Sequence, residues 1–192
     1  MNPQLTLDDI KQMTLQDGED WAVAHALRLL ELIRQIGQDL PYDAHALELA
    51  IYLHDWGAFP CYTQKGIDHA LRSRQVAEAE ILPHMDLEDR VKQVILEAIE
   101  LHDYRDMRPT SSNEALLLRE ADMLEFLGVI GIGRDFARGP KNLEACYRRV
   151  LARQDAIQGR FSLPTAQEIA QQRLERMDQC LRWLEEESFG IL

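Results

Sequence analysis

Cysteine is scarce: Cys61, Cys146 and Cys180 stand far apart and in no CxxC arrangement. That pattern argues against a disulfide framework and against a thiolate zinc site, so three free thiols are expected. Aromatic residues make up only 7% of the chain, and no apolar run approaches the roughly 20 residues a membrane span needs. No stretch alternates β-branched and aromatic residues long enough for a sheet, which leaves strands unexpected. Neither a GxSxG elbow nor a P-loop is present, so no protein nucleophile and no glycine-rich phosphate cradle is on offer. Basic charge is also short. With 21 Lys+Arg against 33 Asp+Glu, the net charge of −12 disfavours nucleic acid and anionic membranes as partners. An anionic substrate must then be held locally, by cations and a few placed basic side chains. The start, MNPQLTLDDIKQM, has no basic region followed by an apolar stretch, so no export signal is read there and a cytoplasmic location is expected.

What is present is helical periodicity. The 192 residues, 46% hydrophobic and 28% charged, suffice for one sizeable core, and the expectation is a single-domain, all-α bundle over 1–192. Apolar spacings of three and four predict helices over 6–15, 20–37, 43–55, 67–82, 87–104, 113–137, 140–158 and 165–188. Thr165 with Glu168 and Ser111 with Glu114 form capping-box patterns, and Pro41, Pro83 and Pro140 fall between periodic segments. WGAFPCYTQKG, from Trp56 to Gly66, is the main irregular stretch, and GVIGIG at Gly128–Gly133 is placed to bend or end the sixth helix. The apolar end around Leu181, Trp183, Leu184 and Phe189–Leu192 fits a surface for homo-oligomer formation or a last helix packed on its own core.

Metal-friendly groups recur at the ends of apolar stripes. His25 continues Trp21, Leu29, Leu32 and Ile36 on one helix face; His54, with Asp55 beside it, follows Leu47 and Ile51; His102 follows Val91, Ile95 and Ala98; Asp122 lies four residues after Leu118. Those faces must point inward. One histidine on such a face is ordinarily a hydrogen-bonded core residue, and a His-Asp dipeptide alone carries little information, since His102-Asp103 repeats it. Buried carboxylates are harder to explain away. Asp55 and Asp122 each require a compensating cation, and separate helices delivering ligands to a shared interior is how bundles build metal sites.

In order and helical context, His25, His54-Asp55 and Asp122 resemble the signature of the HD-domain superfamily of metal-dependent phosphohydrolases, over residues 20 to 130. The resemblance implies an all-α fold with a central metal, with helices 140–188 packed on the motif core. It implies that these four positions ligate a first divalent ion. In members with two metals, two further histidines complete a second site, where His69 and His102 fall, and Asp55 would bridge. Imidazole and carboxylate donors without thiolates suit one or two ions of Fe, Mn, Co, Ni, Zn or Mg. The expected chemistry is cleavage of a phosphate ester of a small molecule, foremost a nucleotide, by metal-bound hydroxide. Lys65, Arg72 and Arg119 lie near enough in sequence to bind substrate phosphate, whereas Arg74 is expected to be solvated. Asp103 is read as an orienter or proton carrier, with an exposed helix-end carboxylate as the alternative; His45 and His84 are read as surface residues. The Gly-Tyr-Pro motif of the cyclic dinucleotide phosphodiesterase branch is absent. Two other readings use the same ligands: a mixed-valent diiron oxygenase, and a metal-stabilised nucleotide-binding regulatory protein without catalysis.

Overall fold

A computed structural model describes residues 4–139 and 141–192, the side chains of residues 19 and 20 excepted; Pro140 lies outside the described residues. All regular structure among them is helical, in the order α1 (Leu7–Asp17), α2 (Glu19–Ile36), α3 (Ala44–Leu53), α4 (His69–Val76), α5 (Asp89–Leu101), α6 (Asn113–Glu125), α7 (Gly128–Arg138), α8 (Leu143–Ile157) and α9 (Pro164–Glu187). No described helix is long and apolar enough to cross a membrane. Two compact units divide the chain, one ending at Arg119 and the other beginning at Glu120.

In the first unit α3 is central, packing against α1, α2 and α5. Its sequence explains this: Ala46, Leu47 and every residue from Leu49 to Leu53 are buried. Asp43 caps its start by accepting from the amides of His45 and Ala46. Thr6 and Asp9 form a reciprocal capping box at the start of α1. Trp56 plugs the space after α3. It is fully buried, its Nε1 donates to Thr14 Oγ1 at 3.0 Å, and its ring stacks on Tyr62. Residues Trp56–Ala58 form a 3-10 turn on which α4 lies. The approach depends on Gly57, where a Cβ would meet His69 O at 2.2 Å and Ser73 N at 2.7 Å. The Gly57 amide donates to Ser73 Oγ at 2.7 Å. Past Val76 the helix continues through a wide π turn, Ala77–Ile81, and a 3-10 turn, Leu82–His84.

Further along the chain, the helix expected over 113–137 is two helices, because Gly128 turns with a positive φ of 73°. The pattern GVIGIG does end the sixth helix. Two capping expectations are corrected. At α6, Ser112 rather than Ser111 caps, accepting from the Ala115 amide at 3.2 Å, while Glu114 accepts from the Asp43 amide at 2.6 Å. The start of α9 has no Thr165–Glu168 box: Leu163 is its N-cap without a side-chain bond, and Glu120 of α6 takes the amides of Ser162 and Leu163. A tertiary carboxylate has replaced the local one. Asp135, fully buried, accepts from Arg149 and Arg153, and the Phe126 ring lies under Arg134 and Arg153. No disulfide joins Cys61, Cys146 or Cys180.

Candidate metal centre

Four imidazoles converge on one carboxylate in the first unit. His25 comes from the middle of α2, His54 from the C-cap of α3, His69 from the first turn of α4 and His102 from the C-cap of α5. Asp55 follows His54 directly and starts the 3-10 turn. Its Oδ2 lies 3.5 Å from His54 Nε2 and 3.8 Å from His25 Nε2; its Oδ1 lies 3.5 Å from His69 Nε2 and 3.8 Å from His102 Nε2. Each carboxylate oxygen therefore serves a different histidine pair. Within each pair the two Nε2 atoms stand 3.2 Å apart.

Local backbone geometry sets the chemistry of two of these rings. His54 Nδ1 donates to Ile51 O at 2.6 Å, and His102 Nδ1 donates to Ile99 O at 2.7 Å. A neutral ring whose Nδ1 carries the proton presents a lone pair at Nε2. His54 and His102 thus both turn acceptors toward Asp55, an arrangement that positive charge between them would compensate. Two nitrogens bound to one ion at about 2.1 Å each stand roughly 3.0–3.4 Å apart for right-angle to tetrahedral coordination, which accommodates the 3.2 Å observed in both pairs. The groups His25, His54, Asp55 and Asp55, His69, His102 could each hold an ion. Burial pushes the Asp55 carboxyl upward, but the four imidazoles, His54 foremost, outweigh burial and hold it well below the usual carboxylate range.

The pairs differ in exposure. His25 and His54 are buried, whereas the His69 side chain is 24% exposed; its chain neighbours Asp68 and Ala70, with Asp103 and Arg105 among others, line a cavity of about 500 Å³. Asp103 is not an exposed helix-end carboxylate. It is buried, with Oδ2 3.6 Å from His69 Nε2, and it accepts from the Arg105 amide (2.7 Å), Nε (2.9 Å) and Nη2 (2.6 Å). Burial raises its carboxyl, but the Arg105 hydrogen bonds win and leave it lowered. Asp68 caps α4 through the Ala70 amide and holds Arg105 Nη2 at 3.0 Å, and Arg105 Nη2 reaches His69 Nδ1 at 3.3 Å.

The basic residues singled out from sequence lie elsewhere than expected in part. Lys65 is exposed in the segment before α4. Arg72, half-buried one turn after His69, donates through Nε to Tyr62 O at 2.7 Å. Arg119 donates to the backbone, Nε to Leu101 O at 2.6 Å and Nη1 to Arg108 O at 2.9 Å, and so braces the chain on both sides of His102. Arg74 is not simply solvated but pairs with Glu100. His45 and His84 are exposed, as expected. Asp122 is buried on α6 in the second unit. Arg105 was not singled out by sequence; its only signal is its place two residues past the second His-Asp dipeptide.

The chain belongs to the HD domain family, whose model matches residues 22–127. Among curated proteins none matches it. Among solved structures it is similar to an HD superfamily hydrolase from an uncultured Thermotogales bacterium, with 23% identity over 94% of this chain and 90% of that one, and a TM-score of 0.65. Bacillus subtilis YpgQ in complex with ADP gives 22% identity over 97% of this chain and 100% of that one, at a TM-score of 0.68. A Lactobacillus plantarum protein gives 16% identity over 96% and 97%, at a TM-score of 0.72. These likenesses establish the all-helical HD fold.

Proposed function

We propose that this chain is a metal-dependent phosphohydrolase that cleaves a phosphate ester of a small molecule, foremost a nucleotide. The observation that carries the reading is the Asp55 carboxylate, each of whose oxygens faces its own pair of imidazoles. His25, His54 and Asp55 would hold one divalent ion; Asp55, His69 and His102 would hold a second. Bound there, such ions supply water activation at neutral pH and offset charge on the transferring phosphoryl group. The chain's own residues do the rest. His54 and His102 keep their Nε2 atoms aimed inward through the carbonyls of Ile51 and Ile99. Lys65, in the segment before His69, and Arg72, one turn after it, would meet substrate phosphate, and Arg119 keeps the segment around His102 in place. Asp103 lies close enough to His69 to orient the reacting centre or carry a proton. The nucleotide reading draws support from the ADP complex of YpgQ, which shares the fold. In this reading residues 1–192 act as one HD-type domain.

The test is phosphate release from a panel of nucleotides and a generic phosphomonoester, with Mn or Co, by wild type and His54→Ala. Release by wild type that His54→Ala abolishes is the expected outcome. Activity surviving the substitution would remove the proposal, and iron-loaded protein that consumes oxygen without releasing phosphate would replace it with an oxygenase.

A further inference from the structure

Arg105 and Arg108 both line the 500 Å³ cavity beside the second triad, and each side chain is 57% exposed. Their hydrogen bonds separate them. Arg108 is fully engaged: Nε and Nη2 donate to Asp106, and Nη1 donates to Glu100 at 2.8 Å. Arg105 is gripped on one edge only. Its Nε and Nη2 form a fork on Asp103, Nη2 also reaches Asp68 and His69 Nδ1, and Nη1 donates to no described residue. The result is a planar cation with a fixed orientation and one uncommitted amino group, whose other amino group stands 3.3 Å from Nδ1 of His69, a member of the second triad. Guanidinium groups held in this way recognise phosphate oxygens with little ordering cost, because the entropy of fixing the side chain has already been lost.

We infer that Arg105 binds substrate phosphate in the cavity beside the second triad, with Asp103 and Asp68 orienting its guanidinium. The inference rests on the phosphohydrolase reading and names its oxyanion contact. It also explains how an acidic lining tolerates an anion: Asp68 and Asp103 are already paired to Arg105, and Glu100 and Asp106 to Arg108. The Asp68 pair is exposed on both sides, so the arginine can adjust toward a ligand at small cost.

The test uses the full chain and inorganic phosphate as the probe. Phosphate is titrated calorimetrically into Mn-loaded protein, and Mn is titrated into metal-free protein, for wild type, Arg105→Met and Arg105→Lys, with helicity checked by circular dichroism. Arg105→Met should weaken phosphate at least tenfold while Mn affinity stays within twofold, and Arg105→Lys, which keeps the charge but loses the fork, should fall between. Unchanged phosphate affinity in a folded Arg105→Met protein overturns the assignment alone. An equal loss of Mn affinity overturns it too, by making Arg105 a support for His69. Wild type that takes up Mn but no phosphate overturns the parent reading as well.

Discussion

Two His-Asp dipeptides end two helices of this protein, and they begin alike. His54 and His102 each occupy a helix C-cap, each is buried, and each donates Nδ1 to the carbonyl three residues back. The carboxylates that follow diverge. Asp55 faces four imidazoles, whereas Asp103 is clasped by the amide and guanidinium of Arg105. A shared backbone design therefore fixes the histidine, and the neighbours brought by other helices decide whether the adjoining carboxylate faces imidazoles or an arginine.

The contrast is broken most sharply by removing the carboxylates one at a time. Asp55→Ala should lower kcat/KM on the order of 10³-fold or more and abolish metal uptake, since both triads lose their shared member. Asp103→Asn should cost only about 10- to 100-fold, as outer partners do, with metal retained. Elemental analysis beside steady-state kinetics checks both, and equal effects would erase the distinction.

Next in size is Gly57→Ala, whose Cβ would collide with the backbone of α4 at His69 O. Because backbone must move, a loss of roughly 3 kcal/mol is expected in denaturant unfolding, together with weakened second-ion binding. First-ion binding, carried by α2 and α3, should change far less.

Metal addition tests the sites as a pair. Mn at about 100 times its dissociation constant should stabilise the fold by about 2.7 kcal/mol per site. That is a rise of roughly 5–10 °C in Tm for a chain of this size, reversed by a chelator. Binding in two steps, the buried His25–His54 triad first, would sharpen the comparison.

The smallest effect is one of pH. The Asp103 carboxyl is depressed below its ordinary value of 3.8, through Arg105 overcoming burial. With the folded value below the unfolded one, its contribution is complete above that ordinary value and is lost as pH falls through the depressed value. Asp103→Asn should flatten the acid limb of metal-free stability. Arg105→Met should move the Asp103 carboxyl upward in an NMR titration while leaving Asp55, whose depression comes from imidazoles, nearly in place.

Most of the scaffold was readable in the residues. The stripes that carry His25, His54 and His102 form largely buried helix faces, and the break near GVIGIG falls where glycine permits a positive φ. The failures share a cause. Capping boxes were read from local spacing, yet at α9 a carboxylate 42 residues away supplies the cap. Arg119, one turn before Asp122, spends its guanidinium on carbonyls of Leu101 and Arg108, and Arg105 carries no signal beyond its place two residues past the second His-Asp dipeptide.

What the sequence alone determined is most of the helices, their inward faces and the histidines on them, because spacing along a helix converts directly into direction. Which oxygen of Asp55 meets which imidazoles, and which arginine stands beside His69, was decided only by the tertiary structure. Those contacts join residues from helices far apart in the chain, and the close approach of α4 at Gly57, with the backbone path after His102, sets their distances.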